Sequence, residues 1–308
     1  MENKVLIFGH KSPDTDTICS SIVKEMLNRK NGHDNSKAVR LGNINKETQY
    51  VLNYLDMKAP ELVEKIEEGQ KVIMVDHNDF AQSVEGIEEA EIIEVIDHHR
   101  IGNFRTSEPL YFTARPYGCT STILFQDYKI KGFEIDKEEA ILMASAIISD
   151  TLLLKSPTTT NYDVRALEEL GKISGINIEE YGLKMLKAGT DLDDFTAEEL
   201  INLDAKELNK NGTKFAIAQV NTVDISTVLK RQEELEKAIH NEIDKKGLEL
   251  FVLAITDILN SNSEIIVLGN KVQAVEKAFD KKLENNRAFL EGVVSRKKQL
   301  LPVIDKNI

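Results

Sequence analysis

At 308 residues the chain is about twice the length of a common domain, and with 41% apolar residues it can fill two cores. Its 52 acids against 39 bases leave a net charge of −13, which repels nucleic acid and obliges any polyanionic substrate to find a local cationic device. No apolar run approaches the roughly 20 residues that span a bilayer; the stretch over residues 5–8 is too short for an export signal, and Cys19 and Cys119 lack metal-site spacing, so a cytoplasmic protein without membrane contact, disulfide framework or thiolate zinc site is expected.

In chain order, β-branched runs at 5–8, 38–41, 72–75, 92–96 and 110–113 read as strands. Segments 17–29, 46–55, 119–129, 137–148 and 162–174 carry apolar residues at three- and four-residue spacing and read as helices. This alternation predicts an α/β fold with a doubly wound, mostly parallel sheet over residues 1–187. The small, acidic stretch from Ala188 to Asp194 predicts a hinge at 188–195. Residues 196–308 then form a smaller α/β domain, with strands at 215–220, 248–255 and 265–268, helices at 225–245 and 272–279, and a last strand after Lys298.

Loops that follow the carboxyl ends of parallel strands converge on one crevice, so the acids and histidines at those ends carry the chemistry. The first strand runs into Gly9-His10-Lys11-Ser12-Pro13-Asp14-Thr15-Asp16, the third into Asp76-His77-Asn78 and the fourth into Asp97-His98-His99; a helix closes with Ser149-Asp150-Thr151. Carboxylates and imidazoles without thiolates suit Mn2+ or Co2+, whereas a site for Mg2+ alone would be nearly all oxygen. So many ligands imply two ions, and a pair about 3.5–4 Å apart can share a carboxylate and a water aimed at phosphorus. Each acid alone reads as a turn residue, and Asp16 as the N-cap of the next helix. Four segments delivering such residues to one edge are harder to explain structurally. His33 and His240 receive no role, and strand parity turns His77 away from the site. Far along the chain, Ser295-Arg296-Lys297-Lys298 reads either as a solvated patch or as a phosphate grip, with Lys206 a further candidate from the same domain.

With these five motifs in order, the chain resembles, over essentially its whole length, the family II inorganic pyrophosphatases of the DHH phosphoesterase superfamily. The resemblance implies a homodimer through the N-terminal domain and an active site in the cleft between two domains. There a metal-bridging hydroxide hydrolyses pyrophosphate to two phosphates, with two Mn2+ per subunit, Co2+ as a substitute, and additional Mg2+ arriving with the substrate. It implies that His10, Asp14 and Asp76 hold one ion and that Asp16, Asp76, His98 and Asp150 hold the other. His99 becomes the substrate-facing donor, Lys206, Arg296 and Lys297 the cations on the phosphates, and Asp97 a residue orienting a histidine ligand. The rival readings are an exopolyphosphatase or short-oligonucleotide phosphodiesterase of the same superfamily, and a sensor that keeps the fold without turnover. Nucleotide-directed relatives usually carry a glycine-rich histidine motif in the second domain, and this sequence has none.

Overall fold

The computed structural model describes residues 4–308. The chain divides into two compact units, Met1–Gly189 and Thr190–Ile308.

The first unit is a parallel sheet of six strands: β1 (Val5–Phe8), β2 (Ser36–Arg40), β3 (Glu61–Leu62), β4 (Lys71–Val75), β5 (Glu91–Asp97) and β6 (Tyr111–Ala114). Their order is β3-β2-β1-β4-β5-β6 with every pair parallel, so the winding reverses between β1 and β4 and opens a crevice at the carboxyl ends of those two strands. Central parallel strands are covered on both faces and read as unbroken apolar runs; accordingly all four residues of β1 and the last four of β4 are buried. Helices α1 (Thr15–Lys30), α2 (Lys46–Tyr54), α3 (Thr120–Lys131), α4 (Lys137–Thr151), α5 (Asn161–Ser174) and α6 (Ile178–Gly189) complete the unit. A capping box of Asp136 and Glu139 starts α4, whose residues from Glu139 to Ile148 are all buried. Beyond it Leu152, Leu153 and Leu154 stand at φ of 48°, 54° and 65°, a left-handed turn that begins two residues after Asp150. That backbone costs each side-chain-bearing residue roughly 1–2 kcal/mol, which is the kind of strain that collects at functional sites.

The second unit contains α7 (Ala197–Asn202), β7 (Ala205–Lys210), β8 (Thr213–Thr222), α8 (Ile225–Leu229), α9 (Gln232–Lys246), β9 (Leu250–Asp257), β10 (Asn262–Gly269), α10 (Val272–Phe279), β11 (Arg287–Glu291) and α11 (Leu301–Asp305). Its sheet runs β11-β10-β9-β8-β7, with β8 and β9 parallel and the other pairs antiparallel. One face packs Ala216, Leu253 and Ile255 against Leu200, Leu235 and Ile239; the other packs Phe215, Val252 and Ala254 against Val275, Leu300 and Ile304.

Several expectations need correction. No strand follows Lys298: the last strand is β11, where buried Ala288 and Leu290 alternate with exposed residues, and residues Arg296–Leu300 make a π turn leading into α11. Buried Leu300 and Ile304, four apart, show the helical spacing that the apolar content of this tail obscured. The helix expected over 225–245 breaks between Leu229 and Gln232 into α8 and α9. The two-residue β3, the polar edge strand β7 and helices α6 and α7 were not anticipated, and α6 carries regular helix through Gly189. Both cysteines are buried and unpaired. Among the described residues, no helix is long and apolar enough to cross a membrane.

Candidate metal centre

Turning from β1 into α1, the chain passes Gly9, where a Cβ would lie 2.5 Å from the Thr17 methyl, so only glycine lets His10 take its place. Asp14, not Asp16, caps α1, its Oδ1 accepting the Thr17 backbone N–H at 2.9 Å. This leaves the other Asp14 oxygen, Oδ2, 3.4 Å from His10 Nε2. Asp16 is fully buried in the first turn, where it accepts the backbone N–H groups of Thr120 at 2.7 Å and Ser121 at 3.2 Å and the Ser20 hydroxyl at 2.6 Å. The amino end of α3 thus holds this anion in place.

Asp76 follows β4 at φ 58°, the left-handed region, with its backbone N–H bonded to the Ile96 carbonyl of β5 at 2.9 Å. The hydroxyls of Thr17 and Thr120 donate to its Oδ2 and Oδ1 at 2.7 and 3.2 Å. Its two oxygens face different neighbours: Oδ2 lies 3.6 Å from His10 Nε2, and Oδ1 lies 3.3 Å from His98 Nε2. His98 Nδ1 donates to the Tyr117 carbonyl at 3.0 Å, which fixes the tautomer and aims Nε2 at Asp76 and, at 3.7 Å, at Asp150. His99 is more than half exposed, its Nδ1 donating to Asp97 Oδ1 at 3.0 Å. Asp97 is itself gripped by the Asn78 amide at 2.5 Å, and Asn78 also ties down the Arg100 carbonyl and the Gly102 N–H.

Two groups of potential ligands result, each with donor atoms within 4.8 Å of one another: His10, Asp14 and Asp76, and Asp16, Asp76, His98 and Asp150. A third grouping adds His99 to Asp76 and His98. The electrostatics call for cations. Burial and the charge of Asp16 push the Asp76 carboxyl up to about 7, and the same two causes push Asp150 well above the carboxylate range. Burial opposes charge on His98, yet the Asp76 hydrogen bond and the charge of Asp16 raise it to about 9. Without metal, protons stand in for positive charge here; carboxylates and neutral imidazoles clustered this closely, some already oriented by hydrogen bonds, fit divalent ions of the Mn2+ class.

Of the other sequence candidates, His77 is buried with Nδ1 donating to the Val75 carbonyl and Nε2 without a partner, and burial lowers its pKa to about 4. It is a neutral core residue, as strand parity indicated. His33 and His240 are exposed and outside the cluster. Asp97 orients His99, whereas the ligand candidate His98 is oriented by a backbone carbonyl. In the second unit Arg296 forks onto Asp204, Nη2 donating at 2.7 Å and Nε at 3.3 Å. Its backbone N–H donates to Gln219 Oε1 at 2.8 Å, while Lys206 on β7 and Lys297 and Lys298 on the π turn are exposed. Sequence reasoning gave no role to Thr17, Asn78, Tyr117, Thr120 or Gln219. Of these only Asn78 sat inside a quoted motif; Thr120 could have been reached as the first residue of a helix whose N–H groups need an acceptor.

The model of the DHH family N-terminal domain matches residues 4–147, and that of the DHHA2 domain matches residues 183–307. The manganese-dependent inorganic pyrophosphatase of Bacillus subtilis is 57% identical over 302 residues, covering 98% of this chain and 97% of its own. A Brevibacillus brevis protein named as a probable enzyme of the same kind is 57% identical over 305 residues, covering 99% of this chain and 98% of its own. Among solved structures, a Methanococcus jannaschii protein assigned to the family II inorganic pyrophosphatases superposes with a TM-score of 0.62 at 40% identity, covering 98% of each chain. An exopolyphosphatase-related protein of Bacteroides fragilis, 13% identical with a TM-score of 0.50, shares the fold alone. The chain belongs to the family II, manganese-dependent inorganic pyrophosphatases, built from a DHH domain followed by a DHHA2 domain.

Proposed function

We propose that this protein hydrolyses inorganic pyrophosphate to two phosphates at a pair of Mn2+ ions, acting as a cytoplasmic homodimer. The observation that carries the reading is the division of the buried and half-buried acids and histidines into two ligand groups that share Asp76 through opposite oxygens. His10, Asp14 and Asp76 would hold one ion, and Asp16, Asp76, His98 and Asp150 the other. Bound there, the ions would supply Lewis acidity, polarising phosphoryl oxygens and lowering the pKa of a bound water. Co2+ satisfies the same donors, and Mg2+ accompanies the pyrophosphate.

The chain's own groups do the rest. Asp97 receives the Nδ1 proton of His99, so the imidazole presents Nε2 outward, where a proton on it neutralises charge gathering on a phosphate oxygen. The Asp97 hydrogen bond raises the His99 pKa, which favours that proton. Arg296, its Nε–Nη2 edge held by Asp204, would turn Nη1 and the outer Nη2 hydrogen to phosphate oxygens, while Lys206 and Lys297 would add point charges. Catalysis on this reading is positioning and charge neutralisation, as expected for phosphoryl transfer.

The test is phosphate release from pyrophosphate after chelation and reloading with Mn2+ or Mg2+, with tripolyphosphate and a short oligonucleotide as parallel substrates. Turnover of pyrophosphate restored best by Mn2+ is expected. Faster cleavage of either parallel substrate, or silence on all three, overturns the reading.

A further inference from the structure

We propose that Glu47, which belongs to neither ligand group, is a positioning residue that clamps the two helix ends carrying the metal ligands; the inference rests on the reading of the metal centre given above. Glu47 lies in the first turn of α2, whose N-cap is Asn45. Its Oε1 accepts two hydroxyls at once: that of Thr15, at 2.7 Å, and that of Ser149. Thr15 stands between Asp14 and Asp16 at the start of α1, and Ser149 immediately precedes Asp150 in the last turn of α4. One carboxylate oxygen therefore ties the segment that presents Asp14 and Asp16 to the segment that presents Asp150. Thr48, fully buried beside it on α2, adds a hydroxyl contact to Thr15 at 3.2 Å.

A simpler account makes Glu47 an ordinary acid in the first turn of a helix, favoured there by the helix dipole. Its side chain does not behave as one. It is half-buried, and burial raises its pKa. It reaches away from its own helix to two others, more than 30 and more than 100 residues distant in sequence. Space has also been left for it: a Cβ on Gly189, at the end of α6, would lie 2.8 Å from Glu47 Cβ and 2.9 Å from Oε2. The last turn of α4, which Ser149 helps hold, runs straight into the left-handed residues Leu152 to Leu154. A helix end under that strain needs an external tie if Asp150 is to keep its place.

Because both hydroxyls meet the same oxygen, the clamp asks for an acceptor at Oε1, not for negative charge. Glu47→Gln can keep both bonds, whereas Glu47→Ala removes them. Outer partners of metal ligands are typically worth about 10–100-fold in metal affinity. The full chain is stripped of metal and titrated with Mn2+ against a chelator, and electron paramagnetic resonance follows the signal of two coupled ions. Glu47→Ala is expected to bind at least one Mn2+ about tenfold or more weakly and to lose coupled signal at limiting metal. Glu47→Gln should stay within about threefold of the parent. Thr15→Val combined with Ser149→Ala should reproduce the loss, and adding Glu47→Ala to that pair should change little further, as for residues acting through one contact. Equal Mn2+ affinity in Glu47→Ala, or a loss as large in Glu47→Gln, overturns the clamp while leaving the pyrophosphatase reading intact. Failure of the parent chain to bind Mn2+ removes both. Should Glu47→Ala not fold, the Thr15 and Ser149 pair decides the question alone.

Discussion

The carboxylate and imidazole centre of the first unit and the basic turn of the second are built on opposite principles. Asp16 and Asp76 are buried to within 1% and oriented by hydroxyls or helix N–H groups, so water cannot relieve a charge on either. Lys206 and Lys297 stand in solvent, and Arg296 is aimed by a partly exposed carboxylate. A buried cluster of like charge stores free energy that only cations or protons release, and so it selects metal. An exposed cation is screened and mobile, and its worth depends on the backbone that presents it. The first arrangement should fail completely when one member is lost, and the second only gradually.

The sharpest way to break this contrast is Asp76→Asn, which weakens both ligand groups with one change. Turnover should fall by about a thousandfold or more, since metal polarisation is worth several kcal/mol, and metal counting should find fewer than two Mn2+ per chain. Full activity with two bound ions would show that Asp76 is not shared. Arg296→Lys, by comparison, keeps the charge and removes the fork. About 10–100-fold in kcat/KM is expected, the worth of a charge-assisted hydrogen bond, with Mn2+ binding unchanged. A loss as severe as that of Asp76→Asn would erase the distinction between the two regions.

Proton linkage sharpens the comparison without mutation. In the metal-free protein Asp76 at about 7, Asp150 above its usual range, His98 at about 9 and His10 above its usual value all hold protons more tightly folded than unfolded. For every one of these groups the folded pKa exceeds the unfolded one, so stability is greatest below the unfolded values and is lost as pH rises through the folded ones. Asp14 and Asp97, held below the usual range despite burial by His10 and His99 respectively, have the opposite sign and act only in acid. The melting temperature without metal should therefore fall between about pH 5 and pH 9, by about 2–4 °C for each kcal/mol lost. Mn2+ should remove most of the slope and release protons on binding. A flat profile without metal would mean that the buried acids are already neutralised by another route.

The two regions also differ in how far the sequence revealed them. His10, Asp14, Asp76 and His98 are legible as a group because strand ends in a parallel sheet converge by topology, so motifs far apart in sequence meet without any knowledge of side-chain packing. What stayed hidden is what orients them. Thr17 and Thr120 carry no signal, since a buried threonine in a helix looks like any other, and the Tyr117 carbonyl that sets the His98 tautomer belongs to the backbone. The basic run was visible as charge, but its π turn was not: the apolar tail after Lys298 suited a strand as well as a helix, and only the burial of Leu300 and Ile304 decides. Strand β7, polar and at the sheet edge, lacks the apolar alternation by which strands are found.

The smallest expected effect concerns Gln219, which presents the basic turn without touching its side chains. Its Oε1 accepts the Arg296 N–H at 2.8 Å, and its Nε2 donates to the Val294 carbonyl and the Thr256 hydroxyl, each at 3.0 Å. Gln219→Ala removes a tie between β8 and the turn worth about 0.5–1.5 kcal/mol per hydrogen bond. If the turn serves substrate binding in ground and transition states alike, KM for pyrophosphate should rise by about three- to tenfold with kcat and Mn2+ affinity little changed. Gln219→Glu keeps the acceptor for Arg296 but sets an anion against the Val294 carbonyl, and should fall between the two. A fall in kcat at constant KM would instead place Arg296 on charge that develops only during the reaction, giving the cations of the second unit a share in catalysis comparable to that of the buried acids.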